Sequence, residues 1–166
     1  MKGIAYKFGD DINTDLIISG RYKFSIQDPS QLAKHVFEDI APEFHRKVGR
    51  DKFFVTAGAN FGCGSSREQA AIALKHAGCL AVLAKSFARI FYRNAFNLGL
   101  PLIECNTDKI KKEDVIEVDI EKGIVAGPEK QYILRIKPFT KFQKDLVEIG
   151  GMVNYYKKYG GLKIET

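Results

Sequence analysis

FFVTAGANFGCGSSREQAAIALKHAGCLAVLAKSF, residues 53–87, is the stretch whose reading decides the fold. FFVTAG (53–58) is a short apolar run that stops at a glycine, the pattern of a buried strand. SREQAAIALKHAG (66–78) is rich in alanine and ends on Gly78, placed as a C′ glycine, so it predicts a helix. CLAVLAKSF (79–87) is a second buried-strand run. Strands that alternate with helices in this way point to a parallel core.

Upstream, IAYKF (4–8) reads as a strand running into a turn at GDDINTD (9–15), and residues 9–28 are punctuated by glycine and aspartate. DPSQLAKHVFEDI (28–40) predicts a helix with Asp28 as N-cap and Pro29 at its first position. Downstream, ARIFYRNAFNLGL (88–100) is an amphipathic helix ahead of Pro101. PLIECN, VIEVDI, GIVAG and QYILRIKPF follow as four strand candidates bunched near 101–139. LVEIGGMVNYYKKYG (146–160) predicts a closing helix, weakened by Gly150 and Gly151. The whole predicts one α/β domain over residues 1–166, with a parallel core and an antiparallel β addition. The topology stays open at this level.

Composition narrows the class. The 166 residues are 45% hydrophobic and 28% charged, ordinary for a soluble domain of this size. Three cysteines, Cys63, Cys79 and Cys105, form no C-x-x-C pair. That argues against a disulfide framework, and against a zinc or cluster site made by this chain alone. A reducing cytoplasm is the expected compartment. The first residues carry no apolar signal core, and no run approaches the ~18 apolar residues of a spanning helix. Net charge is +6, which allows anionic partners. The excess is spread along the chain, and its densest runs (109–112 and 157–163) are interleaved with other residues. A solvated surface fits that spread better than a nucleic-acid stripe.

The chemistry concentrates between the first buried strand and the alanine-rich helix, in GANFGCGSSRE (58–68). Gly58, Gly62 and Gly64 let the backbone turn tightly and come close to a ligand. Ser65 and Glu68 satisfy the S-x-x-E capping box, so the helix is expected to start at the serines. One account is simply a capped helix after a tight turn. The other is an anion site, because a helix N-terminus aims free N–H groups and partial positive charge at whatever lies beyond it. Arg67 favours the second account: a cation breaks the dipole rule there, yet a guanidinium can grip a carboxylate with two hydrogen bonds. Two nucleotide loops fail the test. Gly62-Cys-Gly64 is followed by Ser65, Ser66 and Arg67 rather than by the third glycine of G-x-G-x-x-G, and no lysine follows Gly64 as a P-loop needs. Cys63 reads as a small side chain in the turn rather than a nucleophile. None of His35, His45 and His76 has a context that marks it as a base.

FGCGSSREQA (61–70), followed by AKSFARI (84–90), resembles the C-terminal swivelling domain of the aconitases. DDINTDLIISGRY (10–22) is similar to the family's opening motif, and GGMVNYY (150–156) matches it more weakly. The resemblance spans nearly the whole chain. It implies a swivelling β/β/α domain and a hydro-lyase that dehydrates and rehydrates a hydroxy di- or tricarboxylate. In the isopropylmalate and homoaconitate branches of the family this domain is a separate small subunit, and the length of this chain suits that arrangement. The resemblance then implies a [4Fe–4S] cluster in a large partner subunit and no metal in this chain. It assigns Ser65 as the base that takes the proton from carbon, Ser66 as its hydrogen-bonding support, Arg67 as the carboxylate binder and Asp15 as an active-site acid. Arg21, Tyr22, Lys23, Phe24 and Gly64 are the implied substrate contacts. Arg89 lies in a matching motif without an assigned role. Ser19 stands where the family usually has proline, which loosens the loop that follows. Phe24 offers a hydrocarbon face where relatives acting on tricarboxylates tend to place arginine, so an isopropylmalate-like side chain is favoured over another alkylmalate or a tricarboxylate. A non-catalytic anion-binding module is the competing class.

Overall fold

The computed structural model describes residues 1–22, 25–49 and 51–161. Seven strands form one sheet in the order β4-β3-β2-β1-β5-β6-β7. β1 (Lys2–Lys7), β2 (Phe53–Thr56), β3 (Cys79–Ala84) and β4 (Leu102–Glu104) run parallel to one another. β5 (Val115–Asp119), β6 (Ile124–Ala126) and β7 (Ile133–Arg135) extend the other side of β1 as an antiparallel meander. The parallel core with an antiparallel addition is therefore as expected. Burial explains the division. Every residue of β2 is buried and β3 is nearly so, as continuous apolar runs require when both faces of a sheet are covered. β5 instead alternates, with Ile116 and Val118 buried and Val115 and Glu117 exposed, which leaves one face to solvent.

The helices are α1 (Thr14–Ile17), α2 (Pro29–Leu32), α3 (Phe44–Val48), α4 (Glu68–His76), α5 (Arg89–Asn97), α6 (Lys141–Ile149) and α7 (Met152–Tyr159). α4 packs on α5 and on the α2 region, with Ala70, Ala71, Ala73 and Leu74 buried. It closes at Gly78, whose φ of 96° takes the C′ position. No helix among the described residues is long and apolar enough to cross a membrane.

Three expectations change. The helix expected over 28–40 lasts only one turn plus a 3-10 turn (Ala33–His35), although Asp28 caps it and Pro29 opens it as read. Phe37 ends it by adopting φ 56°, which buries its ring against Phe8 at 4.1 Å. The closing helix is two, α6 and α7, because Gly150 and Gly151 take φ values of 86° and 115°. A Cβ at Gly99 would lie 2.7 Å from their backbone, so the break is also a close crossing of two chains. The third change falls on the start of α4.

Candidate active site

The turn between β2 and α4 is stitched to two other segments by backbone hydrogen bonds. Gly58 N–H donates to Gly9 O at 3.0 Å, Gly62 N–H to Ile12 O at 2.7 Å, and Thr14 N–H to Cys63 O at 2.8 Å. On the other side, Ala88 N–H donates to Phe61 O at 2.9 Å, and Asn60 N–H to the Ser86 hydroxyl at 2.8 Å. The segments 10–22, 58–68 and 84–90, distant in sequence, thus meet at one end of the parallel strands. Two glycines are required by this closeness. A Cβ at Gly62 would sit 2.2 Å from the Phe91 ring, and one at Gly58 only 1.7 Å from Asp10 Oδ1. Asp10 Oδ1 accepts from Ala59 N–H at 2.6 Å, so the aspartate occupies the space that glycine leaves.

The start of α4 overturns the capping expectation. The first helical residue is Glu68, the N-cap position belongs to Arg67, and no side chain caps it. Ser65 lies two residues further out, where its carbonyl accepts from Arg67 N–H at 2.8 Å and from the Thr14 hydroxyl at 3.1 Å. Thr14 is itself only 1% exposed, so the backbone of Ser65 is anchored from below. The hydroxyls of Ser65 and Ser66, both on exposed residues, have no partner among the described residues. The first N–H groups of α4 are left uncapped beside them.

Arg67 is held rather than free. Its Nη1 donates to Asp15 Oδ1, and its side chain is 17% exposed against 54% for Asp15. Nε is buried without a partner among the described residues. A buried donor left unpaired costs roughly 1–3 kcal/mol, so this guanidinium sits in an environment that an added acceptor would improve. Gly20 borders the pair: a Cβ there would come 3.3 Å from both Arg67 Nη2 and Asp15 Oδ1. Asp15, Ser65, Ser66, Arg67 and Gly64 are therefore brought together, with Gly20 and Thr14 as neighbours that motif reading did not single out. The signal for Thr14 was a hydroxyl beside Asp15 in the N-T-D turn.

Arg21 and Tyr22 face another neighbourhood. Arg21 pairs with Asp39, and Tyr22 donates to Glu38 Oε2 at 2.7 Å while stacking on His35 at 3.9 Å. Hydrogen bonds from Tyr22 and then His35 hold the Glu38 carboxyl below its ordinary value. Lys23 and Phe24 lie outside the described residues. Burial pushes the Cys79 thiol up to about 12 and that of Cys105 up to about 11, so neither supplies a thiolate at neutral pH. Among the described residues no three His, Cys, Asp or Glu side chains converge to hold a metal ion. The donor set among the described residues does not fit an iron–sulfur cluster.

This geometry has relatives. Residues 11–108 match the aconitase C-terminal domain family. The chain is 53% identical over 156 residues to 3-isopropylmalate dehydratase small subunit 1 of Archaeoglobus fulgidus, covering 93% of this chain and 96% of that one. It is 46% identical over 165 residues to the 3-isopropylmalate dehydratase small subunit of Halothermothrix orenii, covering 98% of each. A crystal structure of 3-isopropylmalate dehydratase from Methanocaldococcus jannaschii superposes with a TM-score of 0.90 at 47% identity, over 96% of this chain and 94% of the other. The chain belongs to the aconitase C-terminal domain family, and it is similar over nearly its whole length to members named 3-isopropylmalate dehydratase small subunit.

Proposed function

We propose that this chain is the small subunit of a 3-isopropylmalate dehydratase, a hydro-lyase of leucine biosynthesis that interconverts 2- and 3-isopropylmalate by removing and re-adding water. The observation that carries the reading is the Arg67–Asp15 pair, its Nε without a partner among the described residues, at an uncapped helix start beside two exposed serines. Those parts suit a carboxylate and a proton transfer. Arg67 would hold a substrate carboxylate bidentately, and Asp15 would keep its guanidinium aimed. Ser65 would take the proton from carbon, and Ser66 would support it. A serine hydroxyl is far too weak a base in water. The uncapped N–H groups of α4 and the guanidinium supply the positive field that an alkoxide needs. Phe24 is a hydrocarbon residue at the sequence position where relatives acting on tricarboxylates tend to place arginine, which is the basis for isopropylmalate over a tricarboxylate.

The site so assembled is half of one. A large subunit carrying a [4Fe–4S] cluster would complete it, since no cluster of metal-ligating side chains is found among the described residues. The free thiols of Cys63, Cys79 and Cys105 fit a cytoplasmic enzyme.

The test is reconstitution. The isolated chain should fold and turn over no isopropylmalate. Turnover should appear on mixing with an anaerobically reconstituted large subunit. Dehydratase activity of the chain alone would overturn the division of labour. A well-formed complex inert on every alkylmalate and tricarboxylate would leave only an anion-binding module.

A further inference from the structure

Arg89 belongs to the AKSFARI motif, and the site as described gives it no task. It opens α5 at a helix start where the dipole disfavours a cation, with no acid in the first turn to offset it. Arg93 stands one turn further on the same face, and both are exposed. Neither side chain has an ion pair or hydrogen bond to any described residue, whereas the exposed Lys85 and Lys137 pair with Asp108 and Glu104. Like charges four residues apart destabilise a helix by ~0.2–0.5 kcal/mol. Between the arginines, Ile90 is 52% exposed. On the far side of α5, Phe91 and Ala95 are buried and pack the helix onto the chain, while the arginine heads stay at the surface.

Its position gives it a use. Phe91 packs over Gly62, and Ala88 is bonded to Phe61, so the first turn of α5 begins where the glycine turn leaves off. The starts of α4 and α5 thus open at the same end of the parallel strands, so a partner covering Ser65 to Arg67 would extend toward Arg89 and Ile90. We infer that Arg89, Ile90 and Arg93 form a docking face for the large subunit, which meets it with carboxylates around an apolar contact. This inference rests on the small-subunit reading above. Two guanidiniums with no partner among the described residues, beside an exposed branched hydrocarbon, are suited to such a partner: arginine grips carboxylates in a fixed fork, and isoleucine rewards burial. Facing charges also speed encounter, so the face would act on the rate of assembly as well as on its strength.

The experiment compares wild type, R89E/R93E and Ile90→Ser, each full-length, for binding to the large subunit by sedimentation and by association kinetics at low and high salt. R89E/R93E should raise Kd at least about tenfold, mostly through slower association, and flatten its salt dependence. Ile90→Ser should weaken binding at both salt concentrations. All three proteins should melt alike, because these side chains are exposed. At saturating large subunit, R89E/R93E should keep its kcat within about twofold, since lost affinity is then made up by concentration. Unchanged affinity of R89E/R93E in a complex that wild type forms and uses would overturn the docking face and leave the dehydratase reading standing. So would a collapse of kcat at unchanged affinity, which would put the arginines on substrate instead. Failure of the wild-type chain to bind any large subunit or turn over any substrate would instead remove the small-subunit reading.

Discussion

α4 and α6 begin with the same kind of sequence and end up with opposite structures. Ser65-x-x-Glu68 and Thr140-x-x-Gln143 both spell a capping box. At α6 the box closes: the Thr140 hydroxyl accepts from Gln143 N–H at 3.2 Å, and the Gln143 side chain accepts from Thr140 N–H at 2.8 Å. Gln143 also donates to the Tyr92 hydroxyl at 2.8 Å and so ties α6 to α5. At α4 nothing closes. The serines are drawn out of cap reach by the bonds from Thr14 to Cys63 and Ser65, and an arginine takes the N-cap place. One helix start is spent on stability. The other stays open toward solvent with two hydroxyls and a guanidinium in front of it, as a binding end has to be.

The hardest blow to this contrast would come from Ser65. If the hydroxyl is a base and not a cap, Ser65→Ala should lower kcat of the assembled enzyme by about 10²–10⁴, the usual worth of a positioned proton acceptor. Its thermal midpoint should match wild type, because no capping bond is lost. A drop of about 1 kcal/mol in stability with turnover intact would show that the serine caps the helix after all.

Arg67→Ser sharpens the same point from the other side. The N-cap residue already has extended φ and ψ of −78° and 107°, so serine there can accept from the helix N–H groups. The change also removes a cation from the positive end of the dipole and a buried donor that has no partner among the described residues. Against these gains stand the packing of the arginine stem and an ion pair whose aspartate is largely exposed, worth little by itself. The variant should therefore be at least as stable as wild type in urea, while catalytic efficiency falls about a hundredfold or more. A clear loss of stability would mean that Arg67 is there to hold the fold.

Much of this was legible in the residues. The apolar runs at 53–58 and 79–87 gave the parallel core, because a strand buried on both faces can only be continuous hydrocarbon. VIEVDI was legible as a strand, and its burial alternates in the fold. What could not be read was decided by contacts between distant segments. The Ser65–Glu68 box failed because residues fifty positions upstream compete for its backbone. The helix over 28–40 failed because burying Phe37 against Phe8 outweighed local propensity. Of the site, the glycine turn, the serines, Arg67 and Asp15 were visible as motifs. That Arg67 and Asp15 pair across 52 residues, and that Arg21 and Tyr22 face Asp39 and Glu38 instead, required the fold.

The smallest expected effect belongs to the closed cap, and it is the control for the other two. Thr140→Ala removes the hydroxyl that accepts from Gln143 N–H and opens half of the box. The cost should be about 1 kcal/mol, which in a chain of this size lowers the thermal midpoint by about 2–4 °C. Thr140→Ser keeps an acceptor at the same place and should recover most of the loss. Gln143→Ala should cost more than Thr140→Ala, because it also releases Tyr92 and with it the bond between α6 and α5. None of the three should change kcat in the assembled enzyme, since α6 supplies no residue to the Ser65–Arg67 end. The two helix starts would then separate cleanly, one moving stability alone and the other moving turnover alone. A Thr140→Ala variant that melted like wild type but turned over slowly would invert that assignment. It would show that the orientation of α5, carried through Tyr92, sets the geometry of the glycine turn packed on Phe91.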